Sequence, residues 1–302
     1  MDNILIIGSN GFLGKNLSIF FKNAVNNIFT ISRENGDLSD PNIWEKIESN
    51  VKFDAIFYCV ERTGNQIFFQ NNSSYMLFKE NFKILMNFEN FLKKVKIPTK
   101  ILFFNSLWSA KESCTIINEN DLFSYSKNSK VSGLLLTKIL LHQFFKQINN
   151  NKPSHEAFMI TTGTIFGPYD NSDHLIPSLL KKLINQPKKI TLNGGGKSIR
   201  NYIYIYDLCF CILDLLNKKE LRHKNLIISS EINMKIEEVV KILTNKFGIT
   251  SINWGTRVDS FSKRIPDISL YLKNYMPKDY HFKKIQEFSK EELIKWVQAK
   301  DL

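Results

Sequence analysis

Short apolar runs alternate along the chain with longer stretches of helical periodicity. Residues 4–7, 28–32, 55–59, 101–105 and 158–162 are runs of four or five, rich in Ile, Phe, Leu and Thr. After the first run, Phe12, Leu13, Leu17, Ile19, Phe20 and Phe21 recur at helical spacing, and similar patterns follow near 44–47, 73–95 and 124–147. Short apolar runs bounded by helices predict strands buried on both faces. Parallel strands need crossovers of about a dozen residues or more, and these are right-handed. The pattern predicts an α/β fold with a doubly wound parallel sheet.

The texture changes after Gly167. A turn-rich segment (GPYDNSDH) begins there, and a second (LNGGGKS) covers 192–198. Helices are predicted near 206–217 and 235–247, the latter carrying the stripe Ile236, Val239, Val240 and Leu243. Ser289 with Glu292 three residues on reads as a capping box opening the last helix. We divide the chain at 166/167. Residues 1–166 form the sheet domain. Residues 167–302 form mainly a smaller C-terminal lobe, with one strand and helix available to return to the sheet.

Composition narrows the class. With 302 residues, 43% hydrophobic and 23% charged, the chain can bury a large core. No apolar run approaches the roughly 18 residues of a membrane span. Residues 4–7 follow no basic region, so they read as a strand rather than a signal peptide, and the protein is expected in the cytoplasm. Cys59, Cys114, Cys209 and Cys211 do not make a disulfide scaffold. Cys209 and Cys211 lie two apart in a helical stretch and point in different directions, and no second cluster completes a metal site. The net charge of +12 comes from scattered lysines. This reads as a solvated surface: aromatic and basic residues are not interleaved as nucleic-acid stacking requires.

Gly8, Gly11 and Gly14 stand between the first strand and the first helix. Glycines there allow a tight turn, close approach of backbone to a pyrophosphate, and close helix–strand packing. The helix start, with Asn10, Phe12 and Leu13, offers N–H groups and a dipole to an anion. Residues 1–166 are thus expected to bind a dinucleotide. At the end of the second strand stand Ser32 and Arg33, followed by Glu34. A base there accepts a ribose 2′-phosphate and an acid binds the 2′-hydroxyl, so NADP is favoured and Glu34 leaves NAD open.

The glycine spacing resembles the extended short-chain dehydrogenase/reductase family, whose members act mostly on nucleotide-activated sugars. Gly36-Asp37-Leu38 looks like the family segment near the adenine, and Asn81 matches a structural Asn. Phe166-Gly167-Pro168 resembles the turn beside the nicotinamide, where Ile165 is expected to touch the cofactor. Residues 196–207, with Arg200, Asn201, Tyr202 and Asp207, look like the family's G-x-x-x-R-(D/N)-(F/Y)-I-x-V-x-D block. Arg264-Ile-Pro-Asp267-Ile-Ser269 resembles a late family segment. The resemblance implies a nucleotide-diphosphate sugar as substrate, with Arg200 gripping its diphosphate. Arg264 or Arg257 is a candidate second contact, and Trp108 and His174 are further substrate contacts. Thr161 stands where an Arg is common.

The resemblance also implies a catalytic set of Ser or Thr, Tyr, and a Lys four residues after the Tyr. A tyrosine serves as acid or base when an ammonium lowers its pKa, and helical i, i+4 spacing brings the two together. Ser106 fits the first role. Leu107 and Trp108 stand where 4,6-dehydratases carry Asp-Glu, which argues against dehydration. Tyr125 has Ser129 four residues on, so the usual spacing is broken. The favoured placement sets Lys127 on the family Lys, which makes it the expected catalytic and cofactor-binding lysine and puts Phe123 at the Tyr position. Placing Lys130 there matches the following Gly133 but puts Ser126 at the Tyr position. Three outcomes stay open: Tyr125 reaches the site, Ser106 or water replaces the acid, or catalysis is poor. The expected function is NADPH-dependent reduction of a nucleotide-linked 4-keto sugar in bacterial surface polysaccharide synthesis. An epimerase and a cofactor-binding pseudoenzyme are the alternatives. The resemblance further implies a homodimer through the two long helices, using Ile84, Leu85, Phe88, Phe91, Leu92, Leu134, Leu135, Ile139 and Leu140.

Overall fold

The computed structural model describes residues 1–47, 50–63, 74–111, 113–123, 132–151, 155–185, 188–257, 262–277 and 280–299. The elements begin with β1 (Asn3–Ile7), α1 (Phe12–Phe21), β2 (Asn27–Ile31), α2 (Pro41–Trp44), β3 (Ala55–Tyr58), α3 (Ser74–Lys94) and β4 (Thr99–Ser106). There follow β5 (Ile116–Ile117), α4 (Ser132–Asn151), β6 (His155–Thr162), β7 (Thr164–Phe166), α5 (Leu175–Ile184), β8 (Lys189–Gly194) and β9 (Ile199–Tyr204). The remainder is α6 (Ile205–Asn217), β10 (Asn225–Ile227), β11 (Asn233–Lys235), α7 (Ile236–Lys246), β12 (Ser251–Arg257), β13 (Lys263–Pro266), α8 (Ser269–Asn274) and α9 (Lys290–Gln298).

Two compact units divide the chain. The first comprises Met1–Lys111, Asp121–Thr161 and Arg222–Leu226. Its six-stranded sheet has the order β10-β6-β4-β3-β1-β2, and β2, β1, β3 and β4 run parallel. β1 and β3 have no exposed residue because apolar side chains project from both faces into helix layers. α3 places Leu77, Ile84, Leu85, Phe88, Phe91 and Leu92 on its buried face. Phe88 packs its ring against Tyr58, Phe103, Phe144 and Trp44 at centroid distances of 4.8 to 6.2 Å.

The second unit comprises Glu112–Asn120, Thr162–Leu221 and Ile227–Leu302. Here β11-β9-β13-β5 form a sheet, β7 adds to β9, and β12 pairs with β8. Asn201 secures β9: its amide donates to the Ser230 carbonyl at 2.7 Å, and its oxygen accepts from the Ser229 hydroxyl. Ser289 accepts from the Glu292 N–H at 3.1 Å while the Glu292 carboxylate accepts from the Ser289 N–H at 2.7 Å, a complete capping box on α9. No helix among the described residues is long and apolar enough to cross a membrane.

Candidate active site

β1 lies between β2 and β3, so the chain departs from β1 to one side and returns on the other. Ligands of open α/β sheets bind outside the carboxyl ends of the strands at such a point. Gly8 follows β1 with φ of +85°, and a Cβ there would lie 3.0 Å from the Cys59 carbonyl carbon just beyond β3. A Cβ on Gly14 would lie 2.3 Å from the Gly8 oxygen. The loop therefore closes on backbone alone: the Gly8 and Ser9 N–H groups donate to the Ile31 carbonyl and the Gly11 N–H to the Gly8 carbonyl, which fixes the turn at the start of α1. Gly11 is the N-cap, and the first turn of α1 carries no acidic residue, so nothing of its own offsets the positive helix end. Asn10 is exposed, and Phe12 and Leu13 are half-buried on that first turn.

Beyond β2 the chain makes a tight turn. The Ser32 N–H donates to Asn35 Oδ1 at 2.9 Å, and the buried Ser32 hydroxyl accepts from the Glu34 N–H. Arg33 is exposed. Asp37 accepts the Ser39 N–H at 2.9 Å, and its Oδ1 lies 3.2 Å from Arg62 Nη2. The Ser39 N–H and the Arg62 cation hold the Asp37 carboxyl below its ordinary range. Leu38 is buried, and its carbonyl accepts from Trp44 Nε1 and Asn87 Nδ2.

Of this cluster the sequence points to Asp37 and Asn81, but not to Arg62, Glu80, Glu61 or Lys138. Arg62 follows β3, and its main chain is gripped by Asn81: the N–H donates to Asn81 Oδ1 at 2.7 Å and the carbonyl accepts Nδ2 at 2.8 Å. Its Nε lies 3.0 Å from Glu80 Oε2, but the Nε–H is not aimed at an acceptor. Beside it, Lys138 on α4 is buried and donates to Glu61 Oε2 at 3.0 Å. These contacts join residues far apart in sequence, and nothing in the local pattern announces them.

Ser106 ends β4 and is half-buried. Its carbonyl accepts the Ser109 hydroxyl, which in turn accepts from Asn105 Nδ2 at 2.7 Å. Asn105 also donates to Thr161 Oγ1 at 3.1 Å, which gives the threonine on β6 a structural role. Trp108 is exposed in the turn that follows. Tyr125 and Lys127, with Ser126 and Lys130, lie outside the described residues. Their neighbours are informative. Phe123 has φ of 62°, and its ring stacks on His142 at 3.8 Å. A Cβ on Gly133 would lie 2.0 Å from the Ser74 oxygen, so α4 passes α3 at a distance only glycine allows.

In the second unit, Arg200 on β9 and Arg264 on β13 are direct partners in parallel register. Arg264 is buried, and Arg200 donates to the Ile199 carbonyl at 3.0 Å. Ile165 on β7 pairs with Ile203 on β9. His174 is the exposed N-cap of α5. Arg257 ends β12 opposite Gly194. Among the described residues, no group of three or more His, Cys, Asp or Glu could hold a metal ion.

A parallel sheet with a backbone-lined anion cradle at its switch point defines a nucleotide-binding α/β protein. Residues 4–228 match the NAD dependent epimerase/dehydratase family, and the chain belongs to that family. It is 23% identical over 301 residues to a GDP-L-fucose synthase of Dictyostelium discoideum, covering 95% of this chain and 93% of that protein. Its fold is similar to a GDP-L-fucose synthetase from Naegleria fowleri bound to NADP, with a TM-score of 0.81, 17% identity, and 98% and 92% of the two chains covered. It is also similar to a GDP-6-OMe-4-keto-L-xylo-heptose reductase from C. jejuni, with a TM-score of 0.79, 18% identity, and 98% and 96% covered.

Proposed function

We propose that this protein is an NADPH-dependent reductase of a nucleotide-linked 4-keto (deoxy)sugar, serving surface polysaccharide synthesis. The observation that carries the substrate class is the registered pair Arg200 and Arg264. Arginines at registered positions of adjacent strands suit the two phosphates of a diphosphate, which each can meet with paired hydrogen bonds. The Gly8–Gly14 cradle supports the cofactor: side chains are excluded where a pyrophosphate would approach. Arg33 would meet the 2′-phosphate, and Asp37, Leu38 and Ile165 would line the rest of the cofactor. The names of the fucose synthase and heptose reductase relatives favour reduction.

The cofactor, when bound, supplies the hydride. The chain must then give the sugar oxygen a proton. Phe123 is turned into a left-handed conformation and stacked on His142, which argues against its standing in helical register with Lys127. The Gly133 close approach favours the register that sets Lys130 at the family Lys. In that register Ser126 holds the Tyr position, and the phenol of Tyr125 is one residue away. Tyr125 is the proton donor, Ser106 orients the oxygen by hydrogen bond, and a lysine of this segment, Lys130 in preference to Lys127, keeps the phenol acidic. Trp108 and His174 contact the sugar. The protein acts as a homodimer through α3 and α4.

The test is turnover with GDP- and dTDP-linked 4-keto-6-deoxy sugars. The reductase consumes NADPH one-for-one with substrate. An epimerase leaves NADPH absorbance unchanged while converting the sugar, and thermal stabilisation by NADPH without turnover marks a binding protein only. Tyr125→Phe retaining full turnover would remove Tyr125 from the mechanism.

A further inference from the structure

We propose that Arg62 is a specificity-determining residue of the cofactor crevice: its guanidinium neutralises the Asp37 and Glu80 carboxylates, and this lets the crevice accept a phosphate on the adenosine ribose. The inference deepens the function proposed above and rests on it. Arg62 stands three residues beyond Cys59, whose carbonyl carbon is the backbone atom nearest a Cβ built on Gly8. Asp37 lies six residues beyond the end of β2, past the Ser32–Arg33 turn where the adenosine ribose is read and in the segment expected beside the adenine. The two residues meet at 3.2 Å across this end of the crevice. Asn81 fixes the Arg62 main chain on both its N–H and its carbonyl, so the guanidinium is delivered there from a rigid base.

Charge decides the consequence. Arg62 is paired with two carboxylates, Asp37 and Glu80, and its loss would take this cation from both. A phosphate monoester brings nearly two further negative charges at pH 7. Like charges at contact range oppose binding, although exposure and salt reduce the effect. Asp37 is also engaged by the Ser39 N–H and Arg62, so its carboxylate is compensated within the chain. The Nε–Glu80 contact is Coulombic rather than an aimed hydrogen bond, so it balances charge without fixing geometry.

Calorimetric titration of the full chain with NADPH, NADH, 2′,5′-ADP and 5′-AMP tests this. Arg62→Ala is expected to weaken NADPH and 2′,5′-ADP about tenfold and to leave NADH and 5′-AMP within about twofold. Glu80→Gln removes a carboxylate and keeps Arg62, so it should strengthen NADPH about threefold with NADH unchanged. In the Arg62→Ala background, Glu80→Gln should recover part of the loss. Equal weakening of NADPH and NADH by Arg62→Ala, or weaker NADPH binding by Glu80→Gln, would overturn the proposal. Wild-type protein that binds none of the four ligands overturns the cofactor reading itself, and this inference with it.

Discussion

His142 shows how one side chain couples packing to pH. Its imidazole lies against the Phe123 ring, nearly parallel, and close to Phe145. Burial, with Lys146 nearby, lowers its pKa from 6.5 to about 4. The unfolded chain therefore binds the proton at a pH where the folded chain does not. Between pH 6.5 and about 4 this lowers stability as pH falls. His142 is only half-buried, so the slope should be well under the about 1.4 kcal/mol per pH unit of a full proton. His142→Phe keeps a ring against Phe123 and removes the titration. Urea midpoints measured at pH 7 and 4.5 should fall less for the variant than for the parent; parallel losses would show that other groups carry the acid sensitivity.

At the scale of elements, α3 and β9 give separate predictions. Phe88 is fully buried at the centre of an aromatic cluster between α3 and the sheet. Phe88→Ala leaves a cavity and should cost about 3–5 kcal/mol in denaturant unfolding. Arg200→Met removes one of two registered cations and should weaken GDP- or dTDP-sugar binding by roughly ten- to a hundredfold, by loss of a charged hydrogen bond. NADPH affinity, measured by calorimetry, should not change. The apolar runs predicted β1 to β4 and β6 to within a few residues, because strands buried on both faces leave an unbroken apolar signature. The periodicities near 73–95, 206–217 and 235–247 likewise match α3, α6 and α7. The strands β8, β11 and β12 were not visible. They are partly exposed, so no unbroken apolar run marks them, and they are defined by partners distant in sequence. The glycine cradle was legible because its constraint is local. Arg62, Glu61 and Lys138 were not, since their meaning arises only where β3, α3 and α4 converge.

At the scale of the whole molecule, the outer face of α3 bears on assembly. Ile84, Leu85, Phe88, Phe91 and Leu92, expected at a partner helix, are buried within their own unit, as are Leu134 and Leu135. The apolar side chains left outside are Tyr75, Met76, Phe82 and Met86 on α3 and Leu136 on α4. Tyr75, Phe78, Phe82 and Met86 recur at three or four residues and form one stripe, with Phe78 and Phe82 stacked at 6.1 Å. Aromatic residues and Met are enriched at interfaces, so this stripe is where contact with a second copy is predicted. A two-fold axis would set this stripe against its own copy, so one substitution acts twice. Phe82→Asp would place two carboxylates in one apolar contact, where neither has a countercharge. Sedimentation equilibrium at micromolar concentration should give a dimer mass for the parent and a monomer mass for Phe82→Asp. Ile19→Asp, an equally exposed apolar position on α1, should leave the dimer intact. If both variants dissociate, the effect is general charge repulsion and the stripe loses its claim. If the parent itself sediments as a monomer, the exposed aromatic residues of α3 have another purpose.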